Sequence, residues 1–204
     1  MANEITWSKV KLGDIARLKN GYSFKSETYD KDKDGKYTII TIKNVTGRRF
    51  VDTADCNTVS ELPDNIRDHQ ILKSGDILIS MTGNVGRVSM STGENQLLNQ
   101  RVGLIELTGD VDRDFIYQLL SSREFEDAMI SKGHGAAQPN IGKDDIENHE
   151  LYIPDSLDEQ KRIANLLSKF DELIQINEFK ANNLIKAKTQ LMNDIFSGGF
   201  TGST

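Results

Sequence analysis

The chain has 204 residues and a formal net charge of −6, with 37% hydrophobic and 27% charged side chains. This length suits one ordinary domain with an extension, or two small domains. The acidic balance argues against a stand-alone nucleic-acid binder, because such domains usually carry a basic surplus. A single cysteine, Cys56, rules out an intrachain disulfide and a cysteine-cluster zinc site.

No stretch approaches the roughly 20 consecutive apolar residues of a membrane span. The first residues, Met1–Glu4, lack the basic and apolar regions of a signal peptide. We therefore expect a cytoplasmic protein without membrane contact.

Residues 1–154 alternate short strand patterns with short helical patterns, which predicts a compact α+β domain. The strand patterns lie at 5–7, 37–45, 77–81, 87–91, 97–107 and 151–153, and the helical patterns lie at 12–18 and 112–131. Polar or glycine-containing loops separate them at 21–24, 26–36, 46–49, 82–86 and 133–140.

A long amphipathic helix is predicted after this domain, over residues 155–197. The stretch from Ser156 to Phe196 contains no glycine or proline, and at roughly 1.5 Å per residue it would extend about 60 Å. Such a helix cannot bury its apolar face against one small domain, so it needs a second long helix that this chain does not supply. We predict a spacer and dimerisation helix that pairs in an antiparallel coiled coil, followed by a flexible tail over 198–204.

The apolar positions of this helix predict the residues of the dimer contact. With Ile163 at heptad position a, apolar side chains occupy a and e, whereas d is apolar only in the first half. This broadened pattern favours packing partly on the helix's own domain and partly on a partner helix. Asn177, in the middle, either fixes the register or is solvent-exposed where the pattern weakens. The predicted dimerisation residues are Ile163, Leu166, Leu167, Phe170, Leu173, Ile174, Asn177, Leu184, Leu191 and Ile195.

Catalytic motifs are missing from the sequence. The turn Thr82–Gly86 lacks the lysine and the spacing of a phosphate-binding loop. The three histidines, His69, His134 and His149, stand in no metal-ligand spacing. We find no nucleophile elbow, dinucleotide fingerprint or amino-methyltransferase motif, and we predict neither catalytic nor metal-binding residues. The alternative is an enzyme with an unrecognised site around His134, Asp144 and Asp145.

Several short phrases occur in a fixed order along nearly the whole chain, and the ordered set is specific although each phrase alone is weak. The phrases are Trp7-x3-Lys11–Asp14, Gly21–Phe24, Lys73–Ser80 running into Thr82–Gly86, Leu98–Arg101, Gly135–Ile141, and Ile153-Pro154 followed by Glu159-Gln160-x-x-Ile163. Together they resemble the DNA specificity (S) subunit of type I restriction-modification systems.

The resemblance implies a function. In that family a target recognition domain reads one half of a split DNA sequence, and a long helix follows it. A full subunit has two such domains and two antiparallel helices, so this chain resembles a half subunit, natural or truncated. It would pair as a homodimer or with a different half, and it would bind double-stranded DNA through a recognition domain over 1–154.

The family also implies partners that carry the chemistry. Methyltransferase subunits would bind S-adenosylmethionine and methylate adenine, and a restriction subunit with motor activity can join. No cofactor is expected in this chain. A rival reading is a protein scaffold without DNA affinity, which the acidic balance favours. Steep loss of DNA affinity with salt would discriminate against that scaffold.

Base-reading residues should be polar or basic side chains on loops. For each of them, an ordinary solvated side chain is an equal alternative. The phrases shared by the family, such as Leu78–Gly86, favour a structural role, whereas 135–140 fits a buried loop or phosphate contacts equally. Our hypothesis is that Arg49→Ala weakens DNA binding by about 1–3 kcal/mol, if Arg49 reads a guanine edge. The predicted DNA-binding residues are Tyr22, Ser23, Lys25, Ser26, Thr28, Lys43, Asn44, Arg48 and Arg49, with Arg87, Lys132 and His134 on phosphates.

Overall fold

Short strands and helices alternate along the chain, as the sequence predicts. The computed structural model describes residues 5–133 and 139–198. The strands are β1 (Trp7–Lys11), β2 (Ala16–Asn20), β3 (Tyr37–Ile40), β4 (Asn57–Val59), β5 (Ile77–Ser80), β6 (Val88–Met90), β7 (Gln96–Leu98), β8 (Val102–Leu107) and β9 (Glu150–Pro154). The helices are α1 (Leu12–Ile15), α2 (Arg113–Leu120), α3 (Arg123–Lys132), α4 (Lys143–Glu147) and α5 (Leu157–Gly198).

The strands form three small sheets. An antiparallel sheet has the order β2-β8-β5-β6, and a second sheet, β4-β3-β7, pairs β3 antiparallel with β4 and parallel with β7. The third sheet joins the first and last strands of the domain, β1 and β9, in an antiparallel pair. The α+β class is confirmed.

Strand β5 lies at the centre of the core because both of its faces are covered. Side chains alternate between the two faces of a strand. Ile77 and Ile79 therefore pack with α2 and α3 in one apolar cluster, whereas Leu78 packs in a second cluster with Ile40 of β3. This double burial explains an uninterrupted apolar run in an antiparallel sheet.

Two predicted elements are each divided in the structure. The predicted strand at 97–107 is wrong as one element, because a turn around Asn99–Arg101 separates β7 from β8, which belong to different sheets. The predicted helix at 112–131 is interrupted after α2. The hydroxyl of Ser122 accepts a hydrogen bond from the Phe125 amide at 3.2 Å and so caps a second helix, α3. The predicted helix at 12–18 ends at Ile15, where β2 begins.

The long helix α5 has 42 residues, which at roughly 1.5 Å per residue gives about 63 Å. Contacts divide the chain into the units Met1–Ala164 and Asn165–Thr204, so the first two turns of α5 belong to the domain. Gln160 and Ala164 are buried there, and Ile163 packs against the main cluster. Ile163 is therefore a core residue of the domain rather than part of the predicted dimer contact.

Two features missing from the described residues bear on other functions. None of the described helices is long and apolar enough to cross a bilayer. Within 5–133 and 139–198, no group of three histidine, cysteine or acidic side chains is placed to hold a metal ion. The predicted tail lies outside the described residues from position 199 onward.

Candidate nucleic-acid interface

The first candidate loop, Gly21–Thr28, begins where two of the sequence phrases meet. The Tyr22 amide donates to the Leu98 carbonyl at 2.7 Å, and the Gln100 amide donates to the Tyr22 carbonyl at 2.9 Å. A Cβ on Gly21 would overlap the carbonyl oxygen of Asn99. Glycine is thus required for this close approach of the two backbones. The phrases Gly21–Phe24 and Leu98–Arg101 form one structural joint that fixes the start of the loop.

Beyond this joint, the predicted DNA-binding residues of the loop are accessible. Ser23, Lys25, Ser26 and Thr28 are exposed, whereas Phe24 between them is buried and anchors the loop. Tyr22 is half-buried, and its hydroxyl donates to Asn65 Oδ1 at 2.8 Å. The loop is therefore held at defined points while it presents polar side chains to solvent.

Asn44 is a structural residue of the second candidate loop, residues 43–49. It is 4% exposed. Its Oδ1 accepts from the Thr41 amide at 2.8 Å, and its Nδ2 donates to the Asp52 carbonyl at 2.8 Å and to Cys56 Sγ at 3.1 Å. All its polar atoms are used inside the protein, so the prediction that Asn44 reads a base is wrong. Burial, with a smaller effect of Asp52, raises the pKa of the Cys56 thiol to about 11.

Arg49 is likewise engaged inside the domain. Its Nη2 lies 2.9 Å from Asp114 Oδ1, and its guanidinium is 5.4 Å from the ring centroid of Tyr117. Only 17% of its side chain is exposed. These contacts join the second loop to α2, so Arg49 is removed from the predicted base readers. Its neighbours Lys43 and Arg48 are exposed and remain predictions.

We expect Arg49→Ala to lower the free energy of unfolding by about 1–2 kcal/mol, because it removes a partly buried ion pair and a cation–π contact. Chemical denaturation checks this value. Arg123→Ala is the matched control, since the Arg123–Asp127 pair is exposed and should contribute less than about 0.5 kcal/mol. Equal stability of the Arg49 variant and the wild type would contradict a structural role.

The predicted phosphate contacts also have internal partners. Arg87 Nε lies 3.2 Å from Glu126 Oε1 on α3, and Lys132 Nζ donates to the Asp145 carbonyl at 2.8 Å. Arg87 and Lys132 help to hold the helices in place through these contacts. They are therefore weaker candidates for binding DNA phosphates. His134 lies outside the described residues.

The turn Thr82–Gly86 packs against a segment from another sequence phrase. The Gly83 amide donates to the Pro139 carbonyl at 3.0 Å, and Thr82 Oγ1 donates to Asn140 Oδ1 at 2.9 Å. Gly86 has a φ of +83°, and a Cβ there would lie 2.7 Å from Met129 Cβ. These contacts give both segments a structural role, as predicted for 78–86. Residues 135–138 lie outside the described part of the chain.

The structure adds a segment that the sequence reading missed. Asn65 and Arg67 are exposed on the connection between β4 and β5, and the Tyr22–Asn65 hydrogen bond places this connection beside the first loop. Their residue types are those that contact DNA. Only the long-range hydrogen bond between Asn65 and Tyr22 distinguishes this segment from other polar loops.

In the second unit, α5 exposes a stripe of apolar side chains. Leu184 is 72% exposed and Phe170 is 56% exposed. The stripe comprises the predicted residues Leu166, Leu167, Phe170, Leu173, Ile174, Leu184, Leu191 and Ile195, together with Ile185 and Met192. Asn177 lies within it and donates to the Leu173 carbonyl at 2.9 Å. Ile176 and Phe179 are also exposed, but they lie outside the stripe, roughly 120° and 180° around the helix from its centre.

The spacing of the stripe explains its irregular heptad pattern. Positions 166, 170, 173, 177, 181, 184, 188, 191 and 195 cover 29 residues in eight steps, or about 3.6 residues per step. A stripe with this period runs straight along an α-helix, whereas a heptad drifts by about 20° per repeat. Lys180 and Asp194 therefore occupy d positions but lie outside the stripe.

Known proteins resemble this chain in sequence and in fold. The family model of the type I restriction modification DNA specificity domain matches residues 4–187. The type I restriction enzyme MjaVIII specificity subunit of Methanocaldococcus jannaschii is 30% identical over 203 residues, which cover 94% of this chain and 46% of that protein. The EcoBI specificity subunit of Escherichia coli is 26% identical over 86% of this chain and 34% of its own length.

Solved structures share the fold. The type I S subunit from M. genitalium superposes with a TM-score of 0.68 at 21% identity, over 97% of this chain and 47% of that one. The HsdS subunit of Thermoanaerobacter tengcongensis gives a TM-score of 0.63 at 18% identity, over 100% of this chain and 48% of that one. The chain thus spans less than half the length of these relatives. With most of its residues matched by the family model, the chain belongs to the family of type I restriction-modification DNA specificity domains.

Proposed function

We propose that this chain is a DNA specificity component that reads one half of a bipartite site and pairs through α5 with a second copy of itself. Membership of the specificity family supports DNA recognition. The observation that carries the pairing is the exposed apolar stripe of α5. One large exposed apolar surface on a helix is typical of a protein interface.

Two-fold symmetry gives the proposal a specific consequence. Homo-oligomers most often form closed two-fold dimers, in which the same surface is used by both copies. Two identical domains related by such an axis read two identical half-sites in opposite orientations. The expected target is therefore an interrupted palindrome, whose spacer is set by the paired helices.

Chemistry is assigned to partner subunits. Methyltransferase subunits would bind S-adenosylmethionine and extrude the target adenine from the duplex. This chain would select the DNA sequence and hold those subunits at the site. We propose a restriction subunit with motor activity as a further partner of the complex. We assign no bond-making step and no cofactor to this chain.

A methylome tests the proposed function. The chain is co-expressed with a type I methyltransferase subunit, and the control host expresses that subunit alone. Single-molecule sequencing should reveal a new methylated adenine in an interrupted palindrome. An asymmetric bipartite motif would instead indicate a different second half. Absence of any new motif, with both proteins soluble and abundant, would contradict the DNA role and favour the scaffold reading.

A further inference from the structure

A polar cleft of about 360 Å³ lies beside the first candidate loop. It is formed between the end of β2, the start of the loop and the connection from β4 to β5. The side chains that matter here are Lys19, Tyr22, Ser23, Asn65, Arg67 and His69. We call it the Asn65–Arg67 cleft. It shares Tyr22 and Ser23 with the predicted DNA-binding residues, whereas Asn65 and Arg67 enter from the structure alone.

The lining of the Asn65–Arg67 cleft contains no carboxylate among the described residues. Two other clefts of the domain differ in this respect, since one is lined by Asp68, Asp76 and Glu106 and the other by Asp30 and Glu61. The chain has a net charge of −6, so a cleft without acidic side chains stands out on its surface. A lining without carboxylates repels a polyanion such as DNA less than the acidic linings of the other two clefts do.

Two polar groups of the cleft are left able to donate hydrogen bonds, the Asn65 amide and the Ser23 hydroxyl. The Tyr22 hydroxyl donates to Asn65 Oδ1 at 2.8 Å, which orients the amide and leaves its Nδ2 to donate outward. His69 Nε2 lies 3.1 Å from the Asn20 carbonyl, which fixes the imidazole against β2. Ser23 adds an exposed hydroxyl.

Arg67 supplies the positive charge. Its side chain is exposed, and its backbone amide donates to Gln70 Oε1 at 2.9 Å, which fixes the backbone from which the side chain extends. Among the described contacts, none occupies its guanidinium. Lys19 is a weaker candidate, because its Nζ lies 3.3 Å from Glu106 Oε2.

We propose that the Asn65–Arg67 cleft binds a phosphodiester group of the DNA backbone. A phosphate only accepts hydrogen bonds, so a guanidinium, an oriented amide NH₂ and a hydroxyl match it. Guanine also presents only acceptors in the major groove, so two duplexes of different sequence are needed to separate a phosphate contact from a base contact. The contact would fix the register of the domain and place the exposed residues of the adjoining loop on the DNA. This inference rests on the proposed function.

The test is DNA binding by the full chain in complex with its methyltransferase subunit, at several salt concentrations. The probes are a duplex with the motif from the wild-type methylome and an unrelated duplex. Arg67→Ala should weaken binding to both duplexes by a similar factor, roughly tenfold. It should also reduce the slope of log K against log salt by about 0.9, the value for one phosphate contact. Asn65→Ala should weaken both duplexes by roughly threefold or more.

Arg123→Ala is the control, since it also removes one positive charge, but from an arginine already paired with Asp127. It should leave the salt slope unchanged. A slope and affinity equal to wild type for Arg67→Ala, in a complex that still methylates the wild-type motif, would overturn the phosphate contact while the proposed function stands. A changed base preference would overturn it too, by indicating a base contact. No sequence-dependent binding by the wild-type complex would count against the proposed function itself.

Discussion

Replacement of Gln160 by alanine is expected to lower the free energy of unfolding by about 2–4 kcal/mol, a large fraction of the stability of a domain this size. Gln160 is 2% exposed, near the start of α5. Its Oε1 accepts from the Asp112 amide at 2.8 Å, and its Nε2 donates to the Pro154 carbonyl at 2.8 Å. Alanine leaves both backbone groups without these partners in a poorly solvated place. The side chain thereby joins α5 to β9 and to the beginning of α2.

Denaturant unfolding of the purified chain measures this effect. Gln175→Ala is the matched control, because Gln175 is an exposed residue of the same helix. Both substitutions change helix propensity by the same small amount, so the difference between them reports the buried hydrogen bonds. A difference below about 0.5 kcal/mol would show that water satisfies the two backbone groups in the variant.

The sequence predicts the α+β class and the long helix because both depend on local patterns. Periodicity and the absence of glycine and proline are sufficient to predict α5. The boundaries of the elements depend more on contacts between residues that are distant in sequence. The serine pair Ser121-Ser122 is compatible with a continuous helix, and only the packing of α2 and α3 on the sheet favours a new cap at Ser122. The division of 97–107 likewise depends on which sheet each half joins.

The site could be predicted only in part for the same reason. Residue type and loop position predict exposure correctly for Ser23 and Lys25. They fail for Asn44 and Arg49, because the partners of these residues include Cys56 and Asp114, which are distant in sequence. Asn65 was missed because its relation to Tyr22 spans 43 positions. Long-range contacts decide which polar residues serve the fold and which remain available to a ligand.

The second large effect concerns the apolar stripe of α5. We expect the double variant Leu173→Asp, Leu184→Asp to be monomeric at concentrations where the wild type is a dimer. Both leucines are more than half exposed in the single chain, so the substitutions should cost the monomer little. In a dimer, four leucines would be buried, each contributing about 1.5–3 kcal/mol, which corresponds to a loss of affinity of more than about 10⁴-fold. Sedimentation equilibrium against the 22.9 kDa chain mass measures the change.

The control for this prediction lies outside the stripe on the same helix. Ile176→Asp, Phe179→Asp makes the same chemical change at two exposed apolar positions outside the stripe. This variant should remain dimeric. If both double variants were dimers, the stripe would not be the contact. If both were monomers, the loss would reflect added charge or helix disruption rather than the stripe.

Cysteine cross-linking decides the direction of the paired helices. Phe170 and Lys188 both lie along the centre of the stripe and are symmetric about position 179. In an antiparallel dimer centred there, position 170 of one chain lies beside position 188 of the other, and the two copies of position 170 are roughly 27 Å apart. Phe170→Cys should therefore cross-link with Lys188→Cys in a mixture, but not with itself. Efficient self-linking of Phe170→Cys would instead establish a parallel pair, which cannot place the two domains at opposite ends. Cys56 should not interfere, because it is buried and its thiol pKa is about 11.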